Sequence, residues 1–510
     1  MPIFKIAYLP PLLIYASAGV SGLTSIVGIF FIKDFLSLSA AFIASIGFWA
    51  GIPWALKMPI GFLIDRYWSL KQYFVYLGAF LVSISLLIMY GILVHKSTMI
   101  QYLEIKTWFI LSSILTPIGY VLQDVVADAM TVEAVEPSFK NITKQVKKIN
   151  TRKEHTIVQL YGRFAIILGS LIVGLINLFI FKDVNENYVN INLLYGKIYL
   201  YALIIPAISV SGIILFNFLN KNKTKPSEFK TTTLDYQIFL GSCTFVILTV
   251  FFGILNMPFS REVILISSLL LVAILMRLLI KDLKKEDQYT IVGTAIIIFI
   301  FRAMPSPGAG LNWFEIDILG FNQSFFSLLS ITSALITLIG MIVLRKAMMK
   351  ASLAKLFIVL SILSATLYSP SLFMYYELHK YTSIVTNGLV DAKFIAILNT
   401  AVESPLAQVA MIPMLAWIAK NAPSKYKATF FAVFASFTNI ALSARELFTS
   451  YLNKVFVISR EVIDTQSKEV LTRANYDDLD NLLISLMIIT LVVPLTTIYL
   501  IQKTKFRSNE

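Results

Sequence analysis

Apolar residues gather along this chain into fourteen long blocks separated by short polar stretches. A helix needs about 20 such residues to cross a bilayer. The blocks therefore predict membrane helices near 7–32, 41–64, 73–94, 107–133, 156–181, 197–219, 236–256 and 262–281. Six more follow near 289–317, 323–345, 353–376, 387–419, 427–452 and 480–502. The first block, MPIFKIAYLPPLLIYASAG, has no cleavable-signal pattern and reads as a membrane helix.

Charges interrupt several blocks: Lys57, Asp124, Asp128, Arg163, Arg302, Glu403, Arg445 and Glu446. A charge in hydrocarbon costs several kcal/mol even on lenient scales, so it persists only against a partner, a protein interior or water. A many-helix bundle with interior charges is expected to enclose a polar path, which predicts a transporter.

Composition fits. The 510 residues are 57% hydrophobic and 14% charged, whereas a soluble chain carries about 25% charge. The net charge of +14 resides in Lys and Arg of short loops, a placement that fits loops facing anionic lipid and not a nucleic-acid groove. The single Cys243 lies in an apolar block and excludes a disulfide framework or a Cys-based metal site. No cofactor or metal is expected.

Basic residues mark alternate loops: Arg66 and Lys71, Lys140 to Lys153, Lys221 to Lys230, Lys281 to Lys285, Arg345 to Lys350, Lys420 to Lys427, and Lys503 to Arg507. The intervening loops are mixed or acidic, as in KDVNENYVNIN at 182–192 and NYDDLD at 475–480. Positive loops stay cytoplasmic, so both termini are expected in the cytoplasm of a cell with the chain in its inner membrane.

An internal repeat is visible. FIKDFLSLSAAF at 31–42 aligns without gaps on FEIDILGFNQSF at 314–325, pairing Phe31 with Phe314, Asp34 with Asp317 and Phe42 with Phe325. Each is read as an outer loop followed by a helix running inward. Two parallel six-helix halves produce such a repeat, and they build the all-α major facilitator architecture. The expected division is a six-helix bundle at 1–220, a cytoplasmic linker with an inserted helix pair at 221–288, and a second bundle at 289–510. The inserted pair has few polar side chains apart from Arg277 and is expected to face lipid without any part in transport chemistry.

Depth limits what the charges can do. At about 1.5 Å rise per residue, Lys57 lies roughly 12 Å inside the edge at Asp65, Asp128 roughly 12 Å and Asp124 roughly 18 Å from Glu136, and Arg163 roughly 12 Å from His155. These charges thus share one layer of the first half, with Asp124 and Asp128 on one helix face. They can form a structural ion-pair cluster, or a binding and coupling site whose pairing rearranges during transport. The second is favoured, because apolar packing costs less than a buried pair that does nothing.

In the second half Glu403 lies roughly 25 Å from Lys420, and Arg445 with Glu446 roughly 27 Å from Lys427. An outer gate and a static outer pair are both open readings. Arg302 precedes MPSPGAG, where Pro305, Pro307, Gly308 and Gly310 must interrupt the helix. Broken helices are tolerated only beside protein or water, so Arg302 is a candidate anchor for an anionic substrate. Gln123, Asn399, Gln408 and Asn439 are further polar candidates, each alone more often interhelical glue.

GFLIDRYWSLK at 61–71 spaces Gly61, Asp65 and Arg66 as G-x-x-x-D-R, which resembles the cytoplasmic loop motif of the major facilitator superfamily. The small Gly lets two helices approach, and Asp65 can pair with a neighbouring helix end to hold the inner side shut, a gating role. An ordinary positive-inside loop is the plainer reading. QDVVADAMTVEAVE at 123–136 resembles the fourth-helix motif of the folate-biopterin transporter family. WALKMPIGFLID at 54–65, AMPSPGAG followed by LGF at 319–321, and the stretch at 405–441 are similar to its second, seventh, tenth and eleventh core segments. The resemblance covers most of the chain outside 220–288. It implies a proton-coupled symporter or exchanger of folates, pterins or similar organic anions, and it nominates Lys57, Asp124, Asp128 and Gln408. Arg163 in YGRF and the inserted pair look more like the neighbouring muropeptide permease family, whose members would import sugar-peptides. Glu403 stands where that resemblance leads one to expect Asp.

Other classes fit less well. An intramembrane enzyme needs a His, Cys or carboxylate pair at an interface, and His95, His155 and His379 are read as loop residues. A proton-pumping respiratory subunit needs a line of mid-membrane Lys, and only Lys57 qualifies. A membrane scaffold would tolerate apolar replacement of Asp124 or Lys57.

Overall fold

Lipid offers a peptide group no hydrogen bond, so a spanning segment has to satisfy its N–H and C=O groups internally, which a helix does. The computed structural model describes residues 5–35, 39–55, 57, 60, 70–134, 144–182, 191–221, 236, 240, 241, 243, 244, 247, 251, 259–344, 352–421, 427–463 and 470–507. Nearly all of these are helical.

The elements run α1 (Leu9–Val20), α2 (Ser25–Phe35), α3 (Ala40–Ala55), α4 (Lys71–Val94), α5 (Ile105–Ala134), α6 (Lys144–Phe181), α7 (Ile191–Tyr201) and α8 (Ile204–Leu219). They continue with α9 (Ser260–Ile280), α10 (Lys285–Arg302), α11 (Ala309–Asp317), α12 (Gln323–Val343), α13 (Leu353–Thr366) and α14 (Ser369–Tyr375). The last are α15 (Ala392–Glu403), α16 (Leu406–Asn421), α17 (Lys427–Val455) and α18 (Leu479–Gln502). Between α17 and α18 a small antiparallel pair forms, β1 (Val462–Ile463) against β2 (Val470–Thr472).

Among the described residues ten spans are long and apolar enough to cross a membrane, and α3 is a shorter apolar helix. Of two more predicted spans, 427–452 is helical and 289–317 forms two helices; both carry the charges that give them their interest. Most of 236–256 lies outside the described residues. Phe80, Phe179, Phe218, Ile274, Ile342 and Tyr499 stand exposed along the helices, a surface suited to contact with lipid tails.

By contact the chain forms two compact units, Met1–Gly28 with Pro59–Tyr236, and Ile29–Met58 with Gln237–Glu510. In the first, α4 packs on α5 and α1 on α6 and α8. Ser85 of α4 meets Ser112 and Thr116 of α5 at 2.7 and 2.6 Å, small hydroxyls that bring two helices close while bonding across them. In the second, Trp313 and Phe314 of α11 pack with Ile458, Tyr476, Leu479, Leu482, Leu483 and Leu486, and with Ala40 of α3. Tyr476 donates to Asp317 Oδ2 at 2.5 Å. Burial, with Asp317 beside it, pushes the Tyr476 phenol above its ordinary range, so it stays a donor at physiological pH.

The repeat extends to helix capping. Ser39 Oγ accepts from Phe42 N at 3.2 Å at the head of α3, and Asn322 Oδ1 accepts from Phe325 N at 2.9 Å at the head of α12. Both caps and both Phe residues occupy matched positions in the alignment, and each satisfies a first-turn donor. Both segments begin in the end of one helix and finish in the first turn of the next, so among the described residues they are not wholly loop as read from sequence.

Several predicted spans are broken. The expected helix at 289–317 divides into α10 and α11, as its Pro and Gly residues require. The freed backbone is satisfied by side chains: Ser306 N donates to Thr449 Oγ1 at 3.0 Å, Tyr368 Oη to Pro305 O at 3.5 Å, and Asn453 Nδ2 to Pro307 O at 3.2 Å. The stretch at 387–419 also divides, into α15 and α16, at Ser404 and Pro405. α6 begins well before the expected start, so His155 is helical, and His379 stands in a short helix, Leu378–Val385; neither lies in a loop as read from sequence.

Gly308 has φ +72° and ψ −160°, a region almost closed to other residues. Gly308→Ala is expected to cost ~1–3 kcal/mol, read as a lowered unfolding midpoint of the detergent-solubilised protein; an unchanged midpoint would show that the break relaxes freely.

Candidate functional site

Three helices meet at a buried tyrosine in the first unit. Tyr15 of α1 is 5% exposed, and its phenol donates to Asp128 Oδ1 of α5 at 2.5 Å. A phenol donating to an ionised carboxylate makes a charge-assisted bond, roughly twice as strong as a neutral one. The bare backbone of Gly162 on α6 makes room for the ring, since a Cβ there would lie 2.9 Å from Tyr15 Cδ2 and Cε2. Arg163 is the next residue, and Tyr15 lies within the electrostatic reach of Asp128, Asp124 and Arg163. The structure therefore gathers Asp124, Asp128 and Arg163, all nominated by sequence, around one phenol. It adds Tyr15, for which the sequence held no signal, because its partner is 113 residues away.

Asp124 and Asp128 are half-buried and one turn apart. Gln123 points elsewhere, buried against Gly78 of α4, and its Nε2 has no hydrogen-bond partner among the described residues. Lys57 groups by contact with the second unit. Its Nζ lies 5.6 Å from the Trp54 ring centroid, within cation–π range.

In the second unit charges form a sequence of interacting neighbours. Glu315 of α11 interacts with Glu403 of α15, Glu403 with Arg445 of α17, and Arg445 with Glu446. Tyr368, which braces the α10–α11 break, also lies within reach of Glu403 and Arg445. Arg445 Nε is buried with no hydrogen-bond partner among the described residues. Glu315 and Tyr368 were missed because Glu315 lies near the end of its predicted span and Tyr368 is one aromatic among many in an apolar block; only the fold brings them to Glu403 and Arg445. Arg302 ends α10 at the break, as its position before MPSPGAG suggested.

The uncharged candidates separate. Asn439 Nδ2 donates to Trp54 O at 3.2 Å, joining α17 to α3 as interhelical glue. Asn399 Oδ1 and Gln408 Oε1 are buried without a hydrogen-bond partner among the described residues, so both retain acceptors for another group. Gly61, Asp65 and Arg66 lie outside the described residues. Among the described residues no group of three or more His, Cys, Asp or Glu is arranged to hold a metal ion.

Residues 18–509 match the model of the BT1 family, the folate-biopterin transporters. The chain belongs to the BT1 family. Folate transporter 2 of Plasmodium falciparum is 22% identical over 181 residues, 36% of this chain and 38% of that protein; the matched part is thus well under half of either. A POT family transporter solved with a thioalcohol-conjugated peptide superposes with TM-score 0.64 at 15% identity, covering 98% of this chain and 96% of its own. The nucleoside transporter NupG gives 0.58 at 11% identity, covering 97% and 99%. These neighbours establish the major facilitator fold. The BT1 chain thus shares a carrier fold with solved transporters, and the ten long apolar helices among its described residues make it a multi-pass membrane protein. The muropeptide permease alternative gains nothing from these matches.

The Tyr15–Asp128 bond is testable in this BT1 chain by a double-mutant cycle. Tyr15→Phe and Asp128→Asn should each lower unfolding stability, by ~1.5–3 kcal/mol for a buried bond to a charged group. The double variant should lose less than the sum, with a coupling of ~1 kcal/mol or more in denaturant unfolding. Additive losses would dissolve the pairing.

Proposed function

We propose that the protein is a secondary active, proton-coupled carrier of folate-like, pterin-like or related organic anions, working by alternating access. The observation that carries this reading is the Tyr15–Asp128 hydrogen bond beside Asp124 and Arg163. A carboxylate tied to a phenol and neighbouring a guanidinium exchanges those partners when it takes a proton, which frees the guanidinium for an anion. Arg163 in the first unit, and Arg302 and Arg445 in the second, supply cationic groups for the substrate. Asn399 and Gln408 supply acceptors for its ring donors. Family membership and the Plasmodium relative named a folate transporter support the substrate class.

The chain works in a cell (inner) membrane with both termini cytoplasmic, as alternate basic loops imply. Two six-helix bundles, 1–220 and 289–510, form the carrier, joined by the linker and helix pair at 221–288. Lys57 and the acidic–basic series at Glu403, Arg445 and Glu446 take part in coupling or gating. Gly61, Asp65 and Arg66 hold the inner side shut.

Uptake into proteoliposomes should be driven by an inward proton gradient, and Asp128→Asn should abolish that dependence. A panel of folates, pterins, muropeptides and nucleotide-like anions in the same assay identifies the cargo. Uptake by the wild type that ignores the gradient overturns the coupling.

A further inference from the structure

The inserted helix α9 has more than the lipid-facing character that its sequence suggested. Val263, Ile266, Leu270 and Ile274 are exposed along one face, but the opposite face packs on α17. At its first turn Arg261 reaches two other helices. Its Nη1 donates to Ser45 Oγ of α3 at 2.5 Å and to Ser450 Oγ of α17 at 3.3 Å. Those hydroxyls are 3.0 Å apart, and Ser450 also donates to Ala41 O at 2.8 Å. The adjacent Glu262 accepts from the phenol of Tyr451.

Beyond this contact α3 and α17 lie tightly together. A Cβ on Gly47 would meet Glu446 Oε2 at 2.9 Å, and one on Gly51 would meet Ser443 Oγ at 2.6 Å. α3 comes from the first half of the sequence yet groups by contact with the second unit. A carrier that exposes its site to one side at a time has to part such a pair on the side that opens. Ser45 follows the loop after α2, Ser450 and Tyr451 sit near the end of α17, and Arg261 opens α9. Loop charge puts all three ends on the outer side.

We propose that Arg261 and Glu262 latch the outer ends of α3 and α17, so that the inserted helix sets the balance between outer-closed and outer-open states. A terminal nitrogen with more than one N–H suits this task because it can hold two hydroxyls at once, as Nη1 does here and as a Lys ammonium could. Near a helix end, water can replace both hydroxyls, which makes the latch reversible. The outer assignment rests on the topology proposed above; the three-helix contact does not.

The test places spin labels on cysteines at Ser39 and Val455, at the ends of α3 and α17, in a Cys243→Ser background. Distances are measured by double electron–electron resonance without substrate or proton gradient. Arg261→Gln should raise the ratio of long to short separations about tenfold, the effect of losing a hydrogen bond to a charged group. Tyr451→Phe, which leaves α9 untouched, should move it in the same direction, and Arg261→Lys should restore much of the wild-type distribution. Arg277→Gln, at the other end of α9, should change nothing. Unaltered distances in Arg261→Gln, or in Tyr451→Phe if that variant does not fold, overturn the latch, as does an equal change in Arg277→Gln. Reaction of Ser39→Cys with an impermeant maleimide reports the membrane side separately, so an inverted topology is distinguished from a missing latch.

Discussion

A polar group within a bilayer has to find its hydrogen bonds inside the protein, and much of this structure follows from that requirement. The break between α10 and α11 releases backbone groups of Pro305, Ser306 and Pro307, and side chains of Tyr368, Thr449 and Asn453 take them up. Ser85, Ser112 and Thr116 bond across α4 and α5, while Arg261 is satisfied by two hydroxyls on two helices. Each case ties together segments distant in sequence, so the polar positions order the packing of a bundle whose apolar surfaces are otherwise interchangeable.

The two units handle charge differently. In the first, Asp128 is fixed by a direct bond to Tyr15, with Asp124 and Arg163 in its field. In the second, Glu315, Glu403, Arg445 and Glu446 influence one another through space, and the guanidinium retains a buried Nε with no hydrogen-bond partner among the described residues. The first arrangement is a specific bond; the second carries more carboxylate than guanidinium and is the looser of the two.

Periodicity and composition made the helices, the break before Gly308 and the shared face of Asp124 and Asp128 legible, because each depends on residues a few positions apart. The partners were not legible. Tyr15 is an ordinary aromatic in an apolar helix until the fold brings α5 to it, and nothing near MPSPGAG announces Tyr368, Thr449 or Asn453. Glu315 sits at the end of its predicted span, and its neighbour Glu403 is 88 residues away, although the same segment had already revealed the repeat. Arg261 and Glu262 were passed over for a related reason. They open a block otherwise suited to lipid, and only the neighbouring hydroxyls of α3 and α17 give them a role.

Three side chains from outside α10 and α11 clamp the bend at Gly308, and straightening it would break all three bonds at once. The bend is therefore an elbow set in plaster and not a hinge. Moving the break away from α17 and Tyr368 means giving up these bonds, at the junction that also sets where Glu315 stands.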